Sequence, residues 1–328
     1  MTRSHRLLCF AAIVALTITS SGAFAADKVI YQLDWLASGE ETFPYVAQKE
    51  GYFAAQNLEV EIRIGRGTTD VLAKMAKGKA EFGSGGLGLM RAAAQGPMPV
   101  NAVLSIFNKQ PDAIFTYEGS GIKTIKDLAG KTVTTATFTS SNALWPVIAS
   151  INGVDLTKVK LIETDPTATA VMVATGKADA LINWVTSGGE IEAVLKDAGK
   201  KTVVLPWSEF GLDGYGLSLF ASNAEVANRP DIVARFVAAC EKGIQFSIAH
   251  PETAAKDLKA AVPLVDLDAV IIEVKTTIAV TKNEISDKFG MGTFDPVLLR
   301  HTVRSGAAPP HLAVDRQVAI VFARQTRS

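Results

Sequence analysis

The segment between Val29 and Arg63 constrains the fold most, because it predicts two strands joined by a loop and a helix. Val29 to Leu33 is an apolar run rich in β-forming residues, Thr42 to Glu50 can be helical, and Gly51 follows as a stop. Residues 58–63 alternate between apolar and charged side chains, the period of a strand with one buried face. These patterns predict a βαβ unit and therefore an α/β fold.

The loop of this unit, residues 34–41, is the first candidate binding surface. It leaves the carboxyl end of the first strand, where open α/β sheets bind their ligands. A tryptophan in such a loop, here Trp35, is a candidate ligand contact. Glu40 and Glu41 in the same loop are further candidates.

Three motifs in this region resemble the opening of periplasmic solute-binding proteins of ABC importers. They are Leu33-Asp34-Trp35, residues 44–53 (PYVAQKEGYF) and residues 57–60 (NLEV). The resemblance is to the branch that binds thiamine-pyrimidine precursors, alkanesulfonates and nitrate, and it runs from about Lys28 to about Ala255. It implies a type II-like two-lobe fold, in which each lobe is a mainly parallel sheet flanked by helices and the ligand cleft lies between the lobes.

Residues 1–25 have the pattern of a Sec-type signal peptide. Arg3 and Arg6 form a basic start, an apolar run follows, and Ala23-Phe24-Ala25 supplies the small residues of a cleavage site. The apolar run is shorter than the roughly 20 residues that a membrane span needs. The sequence therefore predicts cleavage after Ala25 and release into the periplasm.

Composition narrows the classes of partner. Lysine and arginine equal aspartate and glutamate in number, at 33 each, so nothing predicts a basic surface for nucleic acid. The predicted mature chain keeps one cysteine, Cys240, which cannot form an internal disulfide or a cysteine cluster for zinc. We expect a buried core thiol there, and we predict neither a metal nor a cofactor.

The remaining chain divides into two predicted lobes. Residues 26–114 and 216–328 are assigned to the first lobe and residues 115–215 to the second, with Asp112 to Tyr117 as the crossing. Strands alternate with helices through both lobes, and the repeated helices after Pro230 are expected to pack around the first. The family resemblance suggests a monomer.

A short internal repeat supports this division. Residues 75–81 (MAKGKAE) match residues 173–179 (VATGKAD), and each reads as a helix end, a glycine stop and the entry to a strand. The strands that follow end in Ser84-Gly85-Gly86 and in Asn183-Trp184. If the lobes are related, these two ends face each other across the cleft.

Aromatic residues occur in or beside four strand-to-loop positions, and we expect them to sandwich a planar or apolar solute. They are Trp35, Phe107, Trp184 and Tyr215. The alternative is that each ring packs within its own lobe.

Small hydroxyl residues lie where two strands give way to helices. The first group is Ser84 with Gly85, and the second is Thr139, Ser140 and Ser141. Exposed N–H groups at a helix start can hold a sulfonate, phosphate or carboxylate. The alternative is ordinary helix capping.

Glu190 and Asn183 complete the candidate site. In proteins resembling the thiamine-precursor binders, an acidic residue near the position of Glu190 contacts the amino group of a pyrimidine. The alternative for Glu190 is an ordinary acidic residue favoured at a helix start.

The predicted function is capture of a small solute, most simply a heteroaromatic thiamine-pyrimidine precursor, for an inner-membrane ABC permease. An alkanesulfonate or taurine receptor is the first alternative, and a nitrate receptor would need a cleft lysine or arginine that is not obvious. An enzyme similar to thiamine-pyrimidine synthases is the alternative of another class. Those synthases carry a cysteine-rich run and use histidine, iron and pyridoxal phosphate, whereas the predicted mature chain has only Cys240 and no histidine near its early loops. The chain also has no P-loop, H-E-x-x-H or G-x-S-x-G motif. No enzymatic activity is predicted.

Overall fold

A computed structural model of the protein describes residues 25–88 and 99–298, so the predicted signal segment lies outside it except for Ala25. The described chain forms two five-stranded sheets. Their strands are β1 Asp27–Gln32, β2 Leu58–Arg63, β3 Phe82–Gly86, β4 Val100–Ser105, β5 Asp112–Tyr117, β6 Thr132–Ala136, β7 Lys160–Thr164, β8 Ala180–Trp184, β9 Thr202–Pro206 and β10 Leu217–Ser222.

The helices flank both sheets. They are α1 Phe43–Lys49, α2 Tyr52–Ala55, α3 Thr68–Ala76, α4 Ser141–Ile151, α5 Thr169–Ala174, α6 Gly188–Asp197, α7 Asn223–Asn228, α8 Pro230–Ala249, α9 Pro251–Ala261, α10 Leu267–Thr281 and α11 Glu284–Phe289. Short 3₁₀ turns occur at Gly39–Glu41, Ile125–Leu128, Leu156–Lys158, Pro166–Ala168, Val185–Ser187 and Trp207–Phe210. None of the helices in the described ranges is long and apolar enough to cross a membrane.

The two sheets share one topology. The first sheet has the order β2-β1-β3-β10-β4 and the second the order β7-β6-β8-β5-β9. In each sheet the fourth strand, β10 or β5, is antiparallel to both neighbours, and the other pairs are parallel. The predicted α/β fold of two lobes is confirmed. Four of the five strands of each sheet run parallel to one another, and the fifth makes the sheet mixed.

The strand β5 belongs to the second of the two sheets, since residues 112–117 pair with β8 and β9. We refer below to each sheet with its flanking helices as the first lobe and the second lobe.

Glycines set the local geometry of the internal repeat. Gly78 and Gly176 both adopt the left-handed conformation, with φ of 65° and 74°. Their N–H groups donate to Met75 and Val173, which closes the preceding helix before the next strand. The two repeats occupy equivalent positions, since β3 and β8 are the middle strands of their sheets.

The core of the first lobe lies between its sheet and the long helix α8. The ring of Phe236 on α8 stacks on Phe82 at a centroid distance of 3.9 Å and meets Tyr31 edge-on. Cys240, one turn further along α8, is fully buried in the same cluster. In the second lobe Trp145 and Trp207 pack together. These cores hold the strand ends that build the cleft.

Candidate ligand cleft

The ends of several strands meet where the two lobes touch. The amide N–H of Thr69 in the first lobe donates to the carbonyl of Phe138 in the second at 3.1 Å. Gly86, the last residue of β3, lies so close to Ser140 and Trp184 that a methyl group on Gly86 would contact both. The ends of the two repeated units therefore adjoin each other across the interlobe cleft.

Two aromatic rings meet in this cleft, one from each lobe. Phe107 follows β4, Trp184 ends β8, and their ring centroids are 5.9 Å apart in an edge-to-face arrangement. Both residues are buried. The indole Nε1 of Trp184 is buried and faces the carboxyl group of Asp112.

Asp112 lies beside Trp184 because the two residues are paired between β5 and β8. Its carboxyl group accepts hydrogen bonds from the hydroxyl of Ser141 and the side-chain amide of Gln110. Burial raises the pKa of Asp112 to about 6, although these hydrogen bonds oppose the rise. The Ser141 hydroxyl is also 3.1 Å from that of Thr139.

Asp34 supplies a second buried carboxyl group, from the loop after β1. Its Oδ1 accepts a hydrogen bond of 2.7 Å from Thr68. Burial raises the pKa of Asp34 to about 7, and the charges of Glu40 and Asp112 raise it further while the Thr68 bond lowers it. Carboxyl groups of both lobes thus act on each other across the cleft.

Glu41 is a third buried carboxyl group, and it is hydrogen-bonded to the backbone of Asp34. Its Oε1 accepts from the amide of Asp34 at 3.0 Å and from the hydroxyl of Ser84 at 2.7 Å. Burial, followed by the charge of Asp34, raises the pKa of Glu41 to about 8. The hydroxyl of Ser84 therefore helps to fix the positions of Glu41 and Asp34.

Three further acidic residues, Glu40, Glu273 and Glu190, lie near the contact between the lobes. Glu40 accepts hydrogen bonds from the hydroxyls of Thr186 and Ser187, which belong to the second lobe. Glu273 on α10 accepts from the amide of Gly39 at 2.7 Å, and its pKa is raised to about 8, chiefly by burial. Glu190, in the first turn of α6, is exposed and adds negative charge near both Glu40 and Glu273.

We call these six residues the acidic cluster: Asp34, Glu40, Glu41, Asp112, Glu190 and Glu273. Among the described residues, no lysine or arginine forms an ion pair or hydrogen bond with any of them. Over the same ranges no group of histidine, cysteine, aspartate and glutamate has an arrangement that could hold a metal ion. The cleft is a strongly acidic environment lined by two aromatic rings.

The remaining residues proposed from the sequence do not all lie at the cleft. Tyr215 lies in the core of the first lobe, where its ring packs on Phe294 and its hydroxyl accepts from the amide of Asp295. Trp35 is half-buried in its loop. Asn183 caps the amide of Trp184 through Oδ1, and Gly85 is buried on β3. The structure therefore brings Phe107 to Trp184 but does not bring Tyr215 to them.

Sequence reasoning overlooked five residues that build the contact: Asp34, Asp112, Thr186, Ser187 and Glu273. Asp34 carried a usable signal, since it directly follows a strand at its carboxyl end. Asp112 carried none without the knowledge that β5 is antiparallel, which brings the start of that strand to the cleft. Glu273 lies more than 200 positions from its partner Gly39.

Two mixed sheets of identical topology, joined at a cleft of converging strand ends, define a two-lobed solute-binding fold. The structure of the periplasmic aliphatic sulphonate binding protein SsuA from Escherichia coli aligns with 76% of this chain and 82% of its own, at a TM-score of 0.60 and 15% identity. At that identity the likeness establishes the fold.

The chain belongs to the NMT1/THI5-like family, whose model matches residues 39–254. It is 26% identical over 239 residues to the formylaminopyrimidine-binding protein of Halalkalibacterium halodurans, covering 73% of this chain and 72% of that one. It is 25% identical over 268 residues to the riboflavin-binding protein RibY of Chloroflexus aurantiacus, covering 79% and 74%. A 4-amino-5-hydroxymethyl-2-methylpyrimidine phosphate synthase of Candida albicans is 24% identical over 247 residues, covering 70% of each chain. The predicted resemblance to this group of proteins is confirmed.

Proposed function

We propose that the protein captures a small planar nitrogen heterocycle bearing an amino group and delivers it to an ABC importer. The observation that carries this proposal is that Asp34 of one lobe and Asp112 of the other lie close enough to interact, with Asp112 beside Trp184. An aromatic wall binds a flat ring, and carboxylates accept hydrogen bonds from its amino and ring N–H groups. A solute held in this way touches both lobes and stabilises their closure.

Two of the four hydroxyl groups considered for a sulfonate are already engaged with carboxyl groups. Ser141 donates to Asp112, and Ser84 donates to Glu41. A sulfonate beside them would bring a further negative charge into a buried acidic environment, and like charges in such surroundings repel strongly. The geometry therefore favours a hydrogen-bond donor over an anion as the ligand.

The names of two relatives agree with this chemistry. Formylaminopyrimidine and riboflavin, for which those proteins are named, are both flat nitrogen heterocycles. We infer that the present ligand belongs to the same broad class, with an aminopyrimidine as the simplest candidate. Phe107, Trp184, Asp34 and Asp112 are the residues assigned to contact it, and Trp35 is assigned to the rim.

The cellular role follows from the same assignment. A secreted receptor with a two-lobed cleft would bind its solute in the periplasm, close, and dock as a monomer on an inner-membrane permease. The signal pattern of residues 1–25 is consistent with that location.

A synthase is the second candidate, because one group of relatives carries that name. A synthase of the type considered above would bind pyridoxal phosphate and iron. Absorbance spectra of the purified protein with and without added pyridoxal phosphate test this directly. A stoichiometric shift in the pyridoxal absorbance band would favour the enzyme over the receptor.

A thermal-shift screen tests the receptor assignment. Residues 26–328 are heated with 4-aminopyrimidine, riboflavin, taurine or nitrate, since a ligand that binds only the folded protein raises its melting temperature. We expect a shift with the aminopyrimidine that Asp112→Asn removes and that Glu118→Gln, an exposed acid of the second lobe, retains. A shift with taurine or nitrate alone would contradict the proposal.

A further inference from the structure

We propose that the cleft holds its ligand as a cation and that the ligand takes the place of a proton carried by the empty, closed cleft. A neutral base would receive that proton, whereas a permanently charged ligand would expel it into solvent. This inference rests on the proposed function, because it specifies the charge of the nitrogen heterocycle assigned to the same site.

The first argument is the number and origin of the buried acids. The acidic cluster draws its members from the loop after β1, from the start of β5, from α6 and from α10. Five of the six are at least nine-tenths buried, and only Glu190 is exposed. Several ionised carboxylates cannot share a dry site without compensation, so protons or a cation must neutralise them.

The second argument is that the nearby cations are engaged elsewhere. On the elements packed around the cluster, Lys74 pairs with Asp70, Lys109 with Glu284 and Lys275 with Glu252, and these pairs lie at least partly in solvent. Arg66, in the loop before α3, is exposed and acts on Asp165. The charged groups that do act on Asp34 are Glu40 and Asp112, both negative. The protein thus supplies no positive charge to the cluster within the described residues.

The third argument is the aromatic wall beside these acids. The ring of Trp184 meets that of Phe107 at a centroid distance of 5.9 Å, and its indole N–H faces the carboxyl group of Asp112. The Oε2 atom of Glu41 is buried without a hydrogen-bond partner, and a buried acceptor of this kind costs free energy unless a donor reaches it. Aromatic faces also attract cations that lie over them. The cleft therefore offers aromatic rings and an unpaired acceptor to a flat cation.

The proton balance distinguishes two kinds of ligand. With a neutral base, the O–H bond of a protonated carboxyl group breaks and an N–H bond forms on the ring nitrogen, leaving a carboxylate and a bound cation. No proton reaches the buffer. With a quaternary cation no basic nitrogen is available, so the carboxyl proton passes to the solvent.

Calorimetric titration in two buffers of different ionisation enthalpy measures this exchange. The probes are 4-aminopyrimidine and its ring-methylated salt, 4-amino-1-methylpyrimidinium, added to the intact mature protein near pH 7. We expect up to about one proton released for each bound pyrimidinium, and a clearly smaller release for the neutral base, because Asp34 and Glu41 are at least partly protonated in the empty cleft at that pH. Asp34→Asn should reduce the release, and Glu118→Gln should leave it unchanged.

The possible outcomes separate the two claims. Binding of both probes with the same absence of proton release would overturn the inference and leave the proposed function standing. Release that is equal in the wild type, Asp34→Asn and Asp112→Asn would overturn the assignment of the proton to this cleft. Saturable binding of taurine with no heat from either pyrimidine would overturn the inference and the proposed function together.

Discussion

Glu40 accepts a hydrogen bond of 2.8 Å from the hydroxyl of Ser187, and the two residues belong to different lobes. Thr186 donates to the same carboxylate oxygen. These bonds require the lobes to be together, so they stabilise the closed form specifically.

We expect Thr186→Val to weaken ligand binding by about 1.5–3 kcal/mol, the scale of a hydrogen bond to a charged group. The valine keeps the shape of the side chain and removes only its donor. Thr157→Val is the matched control, because Thr157 makes a similar bond to Asp155 on the exposed surface of the same lobe. Equal dissociation constants for both variants, measured by calorimetry, would show that the interlobe bond does not contribute.

A substitution at Gly86 tests whether the two lobes must close on the ligand. A methyl group at this position would lie 2.7 Å from Cβ of Ser140 and 3.3 Å from the Trp184 ring. Gly86→Ala should therefore hold the lobes apart, enlarge the radius of gyration in X-ray scattering with ligand present, and weaken binding at least about tenfold, or about 1.4 kcal/mol.

The companion variant makes that test specific. Ser140→Gly removes the atoms that the new methyl group would meet, and glycine is tolerated at the start of a helix. The double variant should recover most of the lost affinity. An affinity that stays low in the double variant would point to damage within the first lobe instead of obstruction between the lobes.

Trp184→Ala should weaken binding of a planar ligand by about 1–3 kcal/mol, the scale of an aromatic contact with its buried area. Trp184→Phe retains a ring against Phe107 but removes the Nε1 donor that faces Asp112. The difference between the two variants measures the donor separately from the ring. An unchanged dissociation constant for Trp184→Ala would remove this residue from the site.

The acidic cluster predicts an unusual dependence of stability on pH. Burial raises the pKa of Asp34 from 3.8 to about 7, and those of Glu41 and Glu273 from 4.5 to about 8. The folded protein therefore binds more protons than the unfolded chain between these values, and its stability falls as the pH rises through them. We expect the free energy of unfolding of the ligand-free protein to decrease between about pH 5 and 8.

Denaturant titrations across that pH range check whether the free energy of unfolding falls as the pH rises. Glu273→Gln should flatten the curve because its amide cannot ionise, while Glu118→Gln on the surface should leave the slope unchanged. A free energy of unfolding that is constant or increases over this range would contradict the assignment of protons to the buried carboxyl groups.

Local patterns predicted the fold well because the strands and helix stops are encoded by neighbouring residues. The repeat around Gly78 and Gly176 was enough to indicate two related units, and these occupy equivalent places in the two sheets. The direction of β5 was not predictable in this way, because an isolated apolar strand carries no information about the orientation of its partners.

The candidate site was less predictable for the same reason. Asp112 reaches the cleft only because β5 runs antiparallel, and Glu273 only because α10 packs back on the loop of Gly39. Tyr215 shows the opposite error, since its position beside a strand suggested the cleft but its ring packs in the core. Position along a strand predicts which edge of a sheet a residue occupies, but the direction of its side chain depends on distant packing.

The most direct test of the acidic, aromatic cleft is a calorimetric titration of the mature protein with 4-aminopyrimidine and with taurine, in the wild type and in Asp112→Asn. The account predicts saturable binding of the aminopyrimidine, no binding of taurine, and at least about a tenfold loss of aminopyrimidine affinity, or about 1.4 kcal/mol, in the variant. Saturable binding of taurine with no heat from the aminopyrimidine would contradict it.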